Sequence, residues 1–226
     1  WALLMAASRR LPQYTAILRH GVWQQSGLKA ASMPPNFCLG TRLNGKTLGL
    51  WGFGSVGQMV ATYGRAFGMH VLIWGSEHSR QRAADAGFAV AANKEQLFSE
   101  SDFLSLHLRL LADTRGLITL SDLCLMKPTA VLINTSHAEL LQTDVLVTAL
   151  NRGRPGMAAI DVLDSEPVLP GNTLLRLENC LCTPHIGHVE REAYEHDFNE
   201  AFDSILAFIA GQPVNLVNPQ ALRMLR

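Results

Sequence analysis

Two hydrophobic periods alternate along the chain. Short continuous apolar runs, rich in β-branched and aromatic residues, fall at 47–51, 71–74, 88–90, 102–108, 130–134, 157–162 and 180–183, and each predicts a strand. Between them, apolar residues recur every three or four positions, which predicts helices near 94–98, at 119–125 and at 143–151. The longest such pattern covers 190–210, and an amphipathic helix or helix pair broken at Pro12 covers 1–20. Residues 21–44, with Ser32-Met33-Pro34-Pro35-Asn36 at their centre, read as a connecting loop. Strand and helix patterns in alternation predict an α/β protein with a doubly wound parallel sheet, at 45–189, flanked by an N-terminal helical segment at 1–20 and a C-terminal helix and tail at 190–226.

The stretch 43–74 carries the first chemistry. A β-rich run leads into Gly52-Phe53-Gly54-Ser55-Val56-Gly57, a helical segment follows, and a second strand closes the unit at Trp74. This is the βαβ dinucleotide-binding fingerprint of a Rossmann domain in its required context. Gly52 permits the tight turn, Gly54 lets a pyrophosphate approach the backbone, and Gly57 lets helix and strand pack closely. Phosphates would rest on the helix N-terminus, at Ser55 and Val56. A glycine turn without this context is usually only structural.

Cofactor choice is written at the end of the second strand, where NAD enzymes place a carboxylate on the ribose hydroxyls. Gly75 stands there, followed by Ser76-Glu77-His78-Ser79-Arg80. The group that repels a 2′-phosphate is missing, and Ser76 and Arg80 can accept one, so the pattern favours NADP over NAD. The alternatives are that Glu77 swings back to the ribose, or that Arg80 is a solvated first-turn residue of the next helix.

Composition narrows the partners. The chain has 226 residues, 48% of them hydrophobic, enough to bury a substantial core. Nineteen basic residues balance nineteen acidic ones, so no electrostatic footprint for nucleic acid or an anionic membrane exists. No apolar run has the length of a membrane span and no export signal is visible. Cys38, Cys124, Cys180 and Cys182 form no CxxC pair; Cys180 and Cys182 point the same way from a strand instead of bridging, and reduced thiols in a cytoplasmic protein are expected. The chain starts at Trp1, inside a helical pattern with no cap before it, and so reads as a piece of a longer one.

Three further stretches put ionisable residues at strand ends, the side where open α/β sheets bind ligands: Asn134-Thr135-Ser136-His137, the run from Asp161 to Pro167, and Thr183-Pro184-His185-Ile186-Gly187. A glutamate that hydrogen-bonds a histidine can hold its tautomer and tune it for acid/base chemistry on a carbinol. With LNGKTLGLWGFGSVG, SDFLSLHLRLLADTRGLI, LMKPTAVLINTS, GMAAIDVLDSEPVL and CLCTPHIGHVE in this order and at this spacing, the chain resembles the D-2-hydroxyacid dehydrogenase family, which includes phosphoglycerate, glyoxylate/hydroxypyruvate and formate dehydrogenases.

The resemblance implies an NAD(P)-dependent oxidoreductase that interconverts a D-2-hydroxy acid and its 2-keto acid. It assigns His185 as the acid/base, Glu166 as its orienting partner, and His137 to the position of the family's substrate-gripping arginine. It also implies that Thr114, Asn134, Thr135 and Asp161 lie near the cofactor. A histidine at 137 is shorter than arginine and only partly charged near neutral pH. It implies a loss of several kcal/mol of transition-state stabilisation unless Arg109 or Arg115 compensates. Family members carry a long substrate-binding segment ahead of the opening helix and dimerise through that helix. A homodimer is therefore expected, with apolar surface exposed on the opening helix and on 190–210.

Other readings are weaker. A catalytically impaired nucleotide-binding or scaffold module would fit His137 and the missing segment. An S-adenosylmethionine methyltransferase shares the glycine turn but leaves Glu166 and His185 unexplained. A metal site at His185-x-x-His188 with Glu190, Glu192 and His196 lacks a recognised spacing, and the acidic residues read as a solvated first helical turn. His107 reads as a hydrogen-bonded core histidine, Thr114 equally as a turn cap, and Asp164 as a loop residue.

Overall fold

The computed structural model describes residues 1–23 and 39–220; the Ser32–Asn36 centre of the expected connecting loop and Cys38 lie outside the described residues. By its internal contacts the chain divides into Trp1–Pro184 and His185–Arg226, a boundary ahead of the one read from the helical pattern at 190.

The first unit is built on strands β1 (Thr47–Trp51), β2 (His70–Trp74), β3 (Ala89–Val90), β4 (Phe103–Leu106), β5 (Val131–Asn134), β6 (Met157–Ile160) and β7 (Cys180–Cys182). All pair in parallel, in the order β3-β2-β1-β4-β5-β6-β7. This is the doubly wound arrangement, with the order reversing between β1 and β4. Helices α1 (Ala2–Arg9), α2 (Leu11–Arg19), α3 (Ser55–Ala66), α4 (Glu77–Asp85), α5 (Lys94–Glu100), α6 (Leu120–Leu125) and α7 (Val145–Asn151) accompany the strands.

Two hydrophobic clusters explain why the central strands are largely apolar. One gathers Leu97, Phe98, Leu104, Leu106, Leu123 and Leu132; the other gathers Leu4, Leu48, Leu50, Ile73, Phe103 and Ile133. Adjacent residues of β4, Phe103 and Leu104, enter different clusters, as the period of two requires when both faces are covered. The opening helix is part of this core, since Leu4 and Ala7 are buried in it. Leu11 and Leu18 of α2 are exposed.

Polar side chains fix the helix starts. Asn93 accepts the Gln96 N–H at 2.8 Å, and Thr119 with Asp122 forms a reciprocal capping box at α6. At the N-terminal end of the sheet, Asp102 accepts the Thr47 N–H at 2.8 Å and pairs with Lys127 at 2.9 Å, tying β1 to the β4 entrance.

The second unit holds α8 (Arg191–Ile209), whose Phe198, Phe202, Ile205, Leu206 and Ile209 are more than half exposed. Among the described residues no helix is long and apolar enough to cross a membrane.

Candidate active site

Register places the C-terminal ends of six strands level. Trp74, Trp51, Leu106, Asn134, Ile160 and Cys182 are successive Cα partners across β2, β1, β4, β5, β6 and β7. The residues that follow them therefore leave the sheet side by side. Backbone bonds of 2.8–2.9 Å extend the ladder one step further, from Gly52 to Trp74, His107 to Trp51, Asp161 to Asn134 and Thr183 to Ile160. The glycine turn and the strand exits at His107, Asn134, Asp161 and Thr183 thus share one edge, astride the β1/β4 switch point.

The glycine turn is shaped for a ligand. Gly52 has φ of 108°, and a Cβ there would stand 2.4 Å from the His107 carbonyl oxygen. A Cβ on Gly57 would stand 2.5 Å from the Gly52 oxygen, so helix and turn touch through backbone. Around Gly54 the space is open, with nothing within 4 Å of an added Cβ. Gly54, Ser55 and Val56 are exposed at the start of α3, where unpaired N–H groups and the helix dipole favour an anion. These features fit the pyrophosphate of a dinucleotide.

At the β2 exit, Ser76 caps α4 by accepting the Ser79 N–H at 3.3 Å. Arg80 pairs with Glu77 and lies 4.6 Å over the Trp74 ring. A Cβ on Gly75 would come within 3.2 Å of the Ser79 Cβ, so a carboxylate at 75 requires Ser79 to give way. Trp74 was not among the residues picked out from the sequence; its place at the end of a strand, before the specificity turn, was the available signal.

The β4 exit is held from two sides. The Ser136 hydroxyl donates to the Leu108 carbonyl, joining the β4 and β5 exits, and the Thr114 hydroxyl donates to the Arg109 carbonyl at 2.7 Å while accepting the Leu111 N–H at 2.7 Å. Thr114 thus caps its own turn. Arg115 pairs with Glu139 at 3.8 Å. Arg109 is exposed and has no ion pair among the described residues. His107 lies under the glycine turn, its Nε2 3.0 Å from the Ser105 hydroxyl, and burial pushes it down to about 4. It is a partly buried histidine whose surroundings favour the neutral ring near pH 7.

At the β5 exit, buried Asn134 spends its side chain on its own turn: Oδ1 accepts the Ser136 N–H at 3.0 Å, and Nδ2 donates to the His137 carbonyl at 2.8 Å. Thr135 and His137 are exposed, and His137 precedes a short 3-10 helix at Ala138–Leu140. At the β6 exit, buried Asp161 accepts from the Thr183 hydroxyl, and Glu166 folds back so that Oε1 accepts the Leu163 N–H at 2.9 Å. Asp164 is raised above the usual carboxylate range, first by burial and then by Asp144 and Glu139. A cavity of about 260 Å³ opens beside these two exits, lined by Asn134, Ala138, Ile160, Val162, Asp164 and Asn172.

His185 opens the second unit. Its backbone is left-handed, with φ of 54°, an uncommon conformation for a non-glycine residue. Its ring meets the His188 ring edge-on at 5.6 Å.

Residues 1–187 match the family described as D-isomer specific 2-hydroxyacid dehydrogenase, NAD binding domain. The chain is 37% identical to a glyoxylate reductase of Aeropyrum pernix over 225 residues, covering 99% of this chain and 66% of the relative. The chain thus spans about two thirds of the length of that curated relative. The structure superposes with a TM-score of 0.91 on a D-3-phosphoglycerate dehydrogenase-type oxidoreductase from Ralstonia solanacearum, 61% identical, covering 98% of this chain and 65% of that one. An acyclic imino acid reductase in complex with NADPH and D-Arg gives a TM-score of 0.73 at 31% identity, over 96% of this chain and 65% of that one. With the glycine turn, the level strand exits and the match over residues 1–187 together, the chain belongs to the D-isomer-specific 2-hydroxyacid dehydrogenase family and carries its NAD-binding domain.

Proposed function

We propose that the protein is an NAD(P)-dependent oxidoreductase that interconverts a small D-2-hydroxy acid, such as glycolate or glycerate, and its 2-keto acid. The observation that carries the reading is the open glycine turn at the switch point, level with the exits that bear Asp161 and lead to Glu166. When bound, the dinucleotide supplies hydride exchange at its nicotinamide. His185 gives the proton to the carbonyl oxygen as it becomes a hydroxyl, or takes it in the reverse direction, and Glu166 orients His185. His137 and Arg109, at the β5 and β4 exits, are the side chains proposed to meet the substrate carboxylate. Arg109 carries the permanent charge, since Arg115 is engaged by Glu139.

NADP is the proposed cofactor. Glu77 is drawn to Arg80 instead of reaching for a ribose, and Arg80, stacked on Trp74 at the β2 exit, is the cation proposed to meet a 2′-phosphate. The relative that holds NADPH is consistent with this choice. A homodimer is proposed through the exposed Leu11 and Leu18 of α2 in the opening segment. Light scattering should give twice the chain mass.

His137 at the arginine position favours a second reading, a dinucleotide-binding module with little or no turnover. The experiment that separates the two is oxidation of NADPH in the presence of glyoxylate or hydroxypyruvate. Turnover that disappears in His185→Ala supports the dehydrogenase, whereas binding without oxidation supports the module.

A further inference from the structure

A second cavity, of about 330 Å³, opens at the edge of the sheet opposite the glycine turn. Phe103, Val131 and Met157, the first residues of β4, β5 and β6, are successive Cα partners and form one side of it, while Arg10, Thr41 and Lys46 line another. Three strand steps of about 3.3 Å each separate Val131 from Asn134, so about 10 Å of sheet stands between this cavity and the strand exits. It is a separate site.

Its charges do not balance. Arg10 and Lys46, both half-buried, have no ion pair among the described residues. Asp102, the carboxylate on the same wall, is already spent: it accepts the Thr47 N–H at 2.8 Å and pairs with Lys127 at 2.9 Å. A concave surface with two cations and no free counter-charge concentrates anions. Thr41 and Thr129, also on the wall, bring hydroxyl donors, and the apolar strand starts exclude water beneath an ion, which strengthens its contacts. Two positive charges and a donor-rich wall match a dianion with several acceptor oxygens. A phosphate group carries about −1.5 to −2 charges near pH 7 and supplies those oxygens, whereas a monocarboxylate would leave one cation unmatched.

We propose that this cavity binds a phosphate dianion, free or as the head of a small phosphate ester, with Arg10 and Lys46 as its counter-charges. The volume, about eleven times a water molecule's share of the liquid, admits a phosphate with a few carbons attached.

The test is a titration of the full chain with inorganic phosphate at ionic strength fixed with NaCl, read by 31P line broadening. Because the glycine turn also accepts anions, it is repeated in Gly54→Val, where saturable binding at one equivalent should persist. Arg10→Gln and Lys46→Gln should each raise the phosphate dissociation constant about tenfold or more while melting like the parent. Glycerol 2-phosphate separates the two sources: tighter binding than inorganic phosphate marks an ester head, and binding no tighter marks the free ion. In the unmutated chain, phosphate should slow acetylation of Lys46 several-fold but not that of Lys94, which pairs with Asp122 elsewhere, read by peptide mass, so the result does not depend on the folding of a variant. No saturable binding in Gly54→Val, a dissociation constant unmoved by both Arg10→Gln and Lys46→Gln, or equal acetylation of Lys46 with and without phosphate overturns the site.

Discussion

Gly52 and His107 meet through backbone: a Cβ on Gly52 would lie 2.4 Å from the His107 carbonyl oxygen, and the Gly52 φ of 108° already excludes ordinary side chains. Gly52→Ala should therefore cost about 2 kcal/mol or more in stability, from left-handed strain alone before the clash is counted. The melting temperature should fall by several degrees, and dinucleotide binding should be lost with it. A variant that melts like the parent would show that the turn has room the structure does not contain.

His107 makes stability depend on pH. Its folded value, about 4, lies below its ordinary 6.5, so the unfolded chain binds the proton more readily between these limits. The contribution is fully present above pH 6.5 and is lost as pH falls through that window toward 4, amounting to about 3 kcal/mol. Denaturant titrations at pH 7 and pH 4.5 should show a steeper acid loss in the parent than in His107→Gln.

Arg80 is the proposed determinant of cofactor preference. Arg80→Ala should raise the NADPH dissociation constant about tenfold or more, the loss of one charge-assisted contact, and leave that for NADH nearly unchanged. Glu77→Gln, which releases Arg80 from its ion pair, should tighten NADPH modestly. Equal effects on both cofactors would place Arg80 away from the 2′-phosphate.

Much of the fold was legible because doubly covered strands are continuous apolar runs and the glycine turn sits between two of them. Edges were not: the expected strands at 102–108 and 157–162 shorten to Phe103–Leu106 and Met157–Ile160, since His107 and Asp161 are already stepping off the sheet. The single-turn helices Ala138–Leu140 and Thr173–Arg176 bury too few side chains to leave a period in the sequence. Composition could not show that Asn134 spends its amide on its own turn, or that Ser136 ties two strand exits together, because those partners are fixed by register between distant strands. The same holds for Arg80 on Trp74, where the sequence left Arg80 open between ligand and solvent.

His137 is the proposed limit on turnover. His137→Arg restores a fixed, always charged fork of donors and should raise turnover of glyoxylate or hydroxypyruvate by at least about tenfold. A gain in kcat/KM carried by KM would mark an anchor for the substrate carboxylate, and one carried by kcat would mark a group acting on the reacting carbonyl. No gain would remove position 137 from the site.

Gly54 offers the most direct test that the strand exits hold a dinucleotide. Nothing lies within 4 Å of a Cβ there and φ is −76°, so Gly54→Val should fold and melt like the parent while filling the space reserved for the pyrophosphate. Titration with NADPH, followed by nicotinamide fluorescence, should give saturable binding in the parent and none measurable in Gly54→Val. Binding that survives the substitution unchanged, or no binding by the parent, would contradict the account.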